Sequence, residues 1–122
     1  MSFCVAVTDS SEGRAALTAA AQEAAQWNVP LVAVNLTGSS LDTSAMPSEL
    51  PHEVVVPPSP SALDEVEQVL KVIEDRPDIN RLVVGVRKRS PVGKAVLGSI
   101  AQRLIMEAPV PVLSVKADGS GS

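Results

Sequence analysis

The sequence is poor in the residue types that most often carry chemistry. Its 122 positions hold one cysteine, one histidine, one phenylalanine, one tryptophan and no tyrosine. Cys4 lies inside the apolar run Phe3 to Val7, which excludes a disulfide framework and any Cys-only metal site, and with His52 alone besides it a zinc cluster has no ligands. Two aromatic rings leave almost nothing to stack on unpaired bases, which argues against a nucleic-acid partner. No apolar run approaches the roughly 18 residues of a membrane helix, and the stretch before Arg14 carries no cation, so neither a membrane span nor a secretory signal fits. The expectation is a cytoplasmic protein with no membrane contact.

What is present is a chain in which 45% of residues are hydrophobic, enough for the core of one domain of about 150 residues or fewer. The expected layout is a single domain over residues 1–116 and a flexible tail over 117–122. Phe3 to Val7 is too short for a helix and stops at Thr8-Asp9-Ser10-Ser11, so it reads as a buried strand followed by a helix start. From Arg14 to Trp27 seven of fourteen residues are alanine, and Leu17, Ala20, Ala21, Ala24 and Trp27 recur with helical spacing up to the Val29-Pro30 stop. Such a face packs closely on a sheet, with Trp27 expected to pack at its end. Leu31 to Leu36 is a second strand.

Five of the ten prolines fall between Pro47 and Pro60 and bracket a third strand, His52 to Val56. Leu41 to Leu50 has room for no more than a turn or two of helix. Ser59-Pro60-Ser61 is expected to open a helix that runs to Arg76-Pro77, with Leu63, Val66, Val69, Leu70 and Ile73 inward and Glu67 paired with Lys71 outside. A fourth strand, Arg81 to Val86, leads into a loop from Arg87 to Lys94. A last helix turns Ile100, Ala101, Leu104 and Ile105 inward until Pro109, and the final strand, Val110 to Lys116, contains Pro111 and so belongs at a sheet edge. Strands alternating with helices argue for a parallel sheet with right-handed crossovers.

Charge is distributed unevenly. Arg81, Arg87, Lys88, Arg89, Lys94 and Arg103 fall in a 23-residue stretch free of Asp and Glu, so that stretch is +6 while the whole chain is -4. One reading is a solvated basic loop. The other is an anion site, because these cations flank Gly85 at a strand end and Gly98-Ser99 at a helix start, where free N–H groups and the helix dipole attract negative charge.

The same residues carry a resemblance. The run from Val83 through Gly98-Ser99-Ile100 to Val115, with Ala-Pro-Val-Pro-Val-Leu-Ser-Val at its end, is similar to the C-terminal half of the universal stress protein family, and Val7-Thr8-Asp9-Ser10-Ser11 resembles that family's Val-Asp-Gly-Ser turn. The resemblance spans Ser2 to Lys116, with the second helix shortened. It implies an α/β fold: a single open sheet of five parallel strands in order 3-2-1-4-5 with helices on both faces, frequent dimerisation and, in one branch, ATP binding. Ligands of such sheets sit beyond the carboxyl ends of the strands where the winding reverses, which is between strands one and four.

Carried over by position, Asp9 contacts the adenosine part and Leu36 walls the base pocket, while Gly85, Gly98, Ser99 and the backbone at Ile100 take the phosphates. The ligand implied is ATP or AMP, with magnesium as a companion, or another phosphorylated molecule. The ATP branch has Gly-x2-Gly-x9-Gly-Ser/Thr, and here Lys88 replaces the middle glycine. Lys88 either fills space meant for phosphate or holds an anion with its ammonium, and Gly93 is available for a shifted turn. Ser10 likewise stands where the family has glycine.

Three competitors fail on sequence. Counting back from Gly93-Lys94 for a P-loop puts Lys88 at the first glycine and Ala95 at the hydroxyl. Ser99 as a nucleophile needs a base, and His52 belongs to the far edge of the sheet. Cys4 reads as a small core residue. Asp9 has an alternative role in capping the first helix. No catalytic or metal constellation is visible, so turnover beyond slow ATP hydrolysis is not expected. The apolar edge Val112 to Val115 predicts a homodimer through that strand. The rival function is an interaction module of the same fold that has lost its nucleotide and acts only through dimer or partner surfaces.

Overall fold

The computed structural model describes residues 1–44, 46–58, 63–89, 94–96 and 98–118. In chain order its elements are β1 (Ser2–Val7), α1 (Ser11–Trp27), β2 (Leu31–Asn35), β3 (His52–Val55), α2 (Glu65–Asp75), β4 (Ile79–Arg89), β5 (Lys94–Val96), α3 (Ser99–Glu107) and β6 (Val112–Asp118). Five of the strands run parallel in the spatial order β3-β2-β1-β4-β6, the 3-2-1-4-5 arrangement expected from the sequence. β1 and β2 are buried at every position. A parallel strand covered on both faces needs apolar side chains on both, which is why these segments read as unbroken runs.

Alternation of side chains along each strand divides the core in two. Phe3, Val5, Val7, Leu31, Ala33 and Val83 meet the alanine face of α1, built from Ala16, Leu17, Ala20, Ala21 and Ala24. Cys4, Ala6, Val32, Val34, Leu82 and Val84 meet Val66, Val69 and Ile73 of α2 and Leu104 of α3 on the other face. Burial pushes the Cys4 thiol up to about 12, against a small opposing effect of the Arg76 charge, so it is an inert core group.

Local chemistry sets the helix ends. Ser10 caps α1, its Oγ accepting from the Gly13 N–H at 3.0 Å. Asp9 therefore does not hold that role. Asn28, at φ 56°, closes the helix in the left-handed conformation that Asn tolerates. Trp27 does not pack as expected: it is 58% exposed, with the Arg81 guanidinium 5.9 Å from its ring. That guanidinium also lies 4.6 Å from the Phe3 ring and bonds Glu23 at 2.8 Å.

Between Leu41 and Leu50 there is no helix among the described residues, only turns closed by Met46 N–H to the Thr43 carbonyl and Leu50 N–H to the Pro47 carbonyl. Met46 and Leu50 drop from them into the α1-side core. α2 starts at Glu65, not at Ser59-Pro60-Ser61, which lie outside the described residues. Asp64 and Glu67 form a reciprocal capping box that fixes the start. Glu67 is thereby committed to the cap, and Lys71 pairs with Asp75 at 3.5 Å instead. On α3, Ile105 and Met106 are exposed while Ala101 and Leu104 are buried.

The largest departure from expectation is at the end of β4. Arg87 to Lys94 is not all loop: β4 continues to Arg89 and pairs antiparallel with β5, Arg87 opposite Val96 and Arg89 opposite Lys94. Ser90, Pro91, Val92 and Gly93, including the proposed turn glycine, lie outside the described residues. β6 occupies one edge of β4 from Leu82 to Lys88, so β5 takes the edge that β1 uses lower down. The hairpin thus stands above the carboxyl end of β1. β6 begins at Val112 because Pro111 lacks an N–H; the Pro111 carbonyl still accepts from Leu82 at 2.9 Å. It continues through Ala117, which is buried, to Asp118, so the expected tail at 117 starts inside the strand; residues 119–122 lie outside the described residues.

Gly13 supplies a test of how tightly α1 is seated. A Cβ there would lie 2.1 Å from the Thr8 carbonyl oxygen. Gly→Ala inside a helix ordinarily stabilises by about 1 kcal/mol, whereas Gly13→Ala is expected to destabilise by about 1–3 kcal/mol through overpacking. The urea midpoint reads the sign directly, and a rise would contradict this packing.

Candidate functional site

The crevice lies at the carboxyl ends of the neighbouring strands β1 and β4, with α1 on one face of the sheet and α3 on the other. β1 ends in the turn Thr8-Asp9-Ser10, in which the Ser10 N–H bonds the Thr8 carbonyl at 2.9 Å and the two hydroxyls lie 2.7 Å apart. The first turn of α1 then rests on β4. A Cβ at Gly85 would stand 2.0 Å from the Glu12 carbonyl oxygen, so only glycine lets the helix approach this closely.

α3 begins beside that contact. Its N-cap, Gly98, offers no side chain to the free N–H groups, its first turn carries no acidic residue, and a Cβ built at Gly98 would have no atom of the described residues within 4 Å. Among the described residues nothing covers the positive end of the helix, the arrangement that suits an anion. A cavity of about 240 Å³ results, with Thr8, Ser10, Glu12, Gly85, Gly98, Ser99 and Ile100 at its rim and Ala6, Val84, Ala101 and Leu104 at its apolar base.

Of the residues expected from the sequence, Gly85, Gly98, Ser99 and Ile100 come together here. Asp9 is exposed on the turn and does not line the cavity. Leu36 borders a separate, wider groove of about 820 Å³ with Asn35, Thr43, His52, Val54 and Gln68. The backbone of Lys88 continues the strand, in register with Ala95 on one side and Asp118 on the other.

Glu12 and Arg87 were not singled out as a pair by sequence reading. Arg87 Nη2 lies 3.2 Å from Glu12 Oε1. Burial works against ionisation of Glu12, but bonding to its own backbone N–H, to Arg87 and to Ser10, together with the Arg87 charge, prevails and holds the carboxyl below its ordinary value. The 75 residues between the partners hide this pair from any local pattern. Ser10, by contrast, carried a signal: a hydroxyl residue immediately before a helical run is an N-cap signature.

The profile of the universal stress protein family matches residues 52–116. A universal stress protein of Mycolicibacterium smegmatis is 35% identical over 122 aligned residues, covering 88% of this chain and 91% of that protein. The chain belongs to the universal stress protein family. Solved structures agree with the fold of this family member. A universal stress protein from Archaeoglobus fulgidus superposes with a TM-score of 0.67 at 26% identity, covering 95% of this chain and 98% of that one. A structure of the universal stress protein from the same organism in complex with dAMP gives 0.65 at 22% identity, with the same coverage.

The Glu12–Arg87 pair makes stability depend on pH with a defined sign. Folding lowers the Glu12 pKa, so the ionised carboxylate contributes stability that is present above its ordinary value of 4.5 and lost as pH falls through the folded value. Glu12→Gln is therefore expected to melt below the wild type at neutral pH, with the gap closing as the pH drops below 4.5. A gap that persists in acid would place the effect elsewhere.

Proposed function

We propose that this universal stress protein is a cytoplasmic, dimeric regulator of the stress response whose crevice between β1, β4 and the start of α3 binds an adenine nucleotide. The observation that carries this is the start of α3, without a side-chain cap among the described residues, lining the same cavity as Thr8 and Ser10. The position, at the reversal point of an open parallel sheet, is where such folds take ligands. The dAMP complex of the Archaeoglobus fulgidus protein supports the class of ligand. In this reading the backbone at Gly98, Ser99 and Ile100 receives phosphate and the turn from Thr8 to Ser10 faces the sugar. Asp9 lies on that same turn, Leu36 neighbours it at the end of β2, and Lys88 belongs to the hairpin above. Magnesium, where it accompanies the nucleotide, is carried in by the phosphates.

Thermal unfolding with adenosine, AMP and ATP tests this. At a ligand concentration about 100 times Kd the native state gains about 2.7 kcal/mol, a rise on the order of 10 °C for a chain of this size. An unmoved midpoint at millimolar concentrations of all three would favour the second reading, an interaction module without nucleotide. That reading draws on Lys88, which continues the strand where the ATP-binding branch has its middle glycine.

Dimerisation is proposed through β6. Among the described residues its outer edge has no strand partner, and Leu113 on it is 37% exposed. A bare apolar edge recruits a second strand, and two copies related by a two-fold axis cover each other. Light scattering should give twice the 12.7 kDa chain mass, and Leu113→Lys should return it to the monomer value. A monomer at every concentration contradicts the dimer.

A further inference from the structure

On the β1 side the crevice is edged by a short line of hydroxyls. Thr8 and Ser10 both line the cavity, with Thr8 Oγ1 and Ser10 Oγ 2.7 Å apart. A hydroxyl has one hydrogen to give and two lone pairs with which to receive. Ser10 Oγ already accepts from the Gly13 N–H at 3.0 Å, and it also bonds the Glu12 carboxylate, which can only accept. The Ser10 hydrogen therefore goes to Glu12, in a charge-assisted bond stronger than a neutral one, and Thr8 gives its own hydrogen to Ser10. Among the described residues Thr8 Oγ1 has no other side-chain partner, which leaves it with acceptor capacity at the cavity wall. We propose that Thr8 is the specificity residue of the crevice, accepting a sugar hydroxyl of the ligand, so that the site takes a ribonucleotide in preference to its deoxy counterparts.

This rests on the nucleotide reading above and narrows it. With phosphate at the start of α3, the turn from Thr8 to Ser10 meets the sugar. The two hydroxyls there are part-buried, and a bound ligand shuts out the remaining solvent. Whatever it places against Thr8 must then supply a hydrogen or leave the oxygen unpaired, and an unpaired buried polar atom is costly. A ribose hydroxyl supplies one, whereas a deoxy carbon offers nothing and an ionised phosphate oxygen only accepts. A hydroxyl also fits the reverse order, in which Ser10 gives to Thr8 and Thr8 donates to the ligand, because it accepts as readily as it gives. The Thr8 hydroxyl is held in place by the first turn of α1, where a Cβ at Gly13 would stand 2.7 Å from Thr8 Oγ1. Sites built to bond a hydroxyl discriminate against analogues that lack it. Thr8 is thus a specificity residue with no part in any reaction.

The experiment is titration calorimetry of the full chain with AMP, 2′-deoxy-AMP and 3′-deoxy-AMP. The wild type is expected to bind AMP about tenfold more tightly than the weaker of the two deoxy ligands, the worth of one net hydrogen bond. Thr8→Val, which keeps the branched shape and removes the hydroxyl, should narrow that ratio to within about threefold by weakening AMP alone. Thr8→Ser, which restores the hydroxyl, should keep the preference. Both deoxy ligands bound by the wild type as tightly as AMP overturn the hydroxyl selection alone and leave the crevice as a nucleotide site; this comparison needs no variant to fold. An unchanged ratio in Thr8→Val, with the variant shown folded by its unfolding midpoint, or a lost preference in Thr8→Ser, overturns the assignment to Thr8. Failure of all three ligands to bind the wild type overturns the nucleotide reading and this inference with it.

Discussion

The close seating of α1 on Gly85 is the contact on which the geometry of this molecule turns. With the Glu12 carbonyl oxygen 2.0 Å from where a side chain would begin, the first turn of the helix lies directly on β4. That fixes the direction in which the chain leaves β1, and so the width of the gap between β1 and β4 at their carboxyl ends. Gly13, the residue after Glu12, repeats the device against the Thr8 carbonyl. Two glycines, one on β4 and one on α1, let backbone meet backbone around the first turn of α1. The alanine face of α1 continues the same close approach down the sheet.

From this seating follows what lines the cavity. α3, packed on the opposite face through Ala101 and Leu104, brings its start to the same gap, and among the described residues no side chain caps it. The seat on Gly85 also presents Glu12 to the cavity, held ionised by Arg87. The start of a helix and an ion-paired carboxylate thus line one small cavity. A second tie, outside the crevice, stabilises the arrangement of the two helices on this face. Arg103 of α3 bonds Asp64 at 2.8 Å and Glu107 at 3.0 Å. The bond from Arg103, with the Glu67 backbone N–H behind it, holds the Asp64 carboxyl below its ordinary value, and the Arg103–Asp64 pair fastens the start of α2 to α3.

Much of this was legible in the residues. The strands β1, β2 and the first half of β4 are continuous apolar runs, and helices between them force a parallel sheet; the strand order came with the family resemblance. Gly85 and Gly98-Ser99 carried local signals, glycine at a strand end and a hydroxyl at a helix start, while Ile100 came with the family resemblance. The hairpin was not legible, since Arg87-Lys88-Arg89 is a run of cations that reads as solvated loop, and its strand character comes from pairing with β5 and β6. Exposure of Trp27 was missed because helical spacing locates a face but not where the sheet beneath it ends. The start of α2 was readable from Asp64-x-x-Glu67, a stronger signal than the proline that precedes it. Glu12 facing Arg87 joins residues 75 apart, and only the fold brings them together.

The central claim is that the gap between β1 and β4 is the ligand site and that the start of α3 is its anion contact. Backbone amide NMR of the labelled chain titrated with AMP tests this most directly. The account predicts the largest shifts at Ser99, Ile100 and Ala101 and in the turn from Thr8 to Ser10. Shifts confined to the opposite end of the sheet, around Trp27 and Arg81, would contradict it.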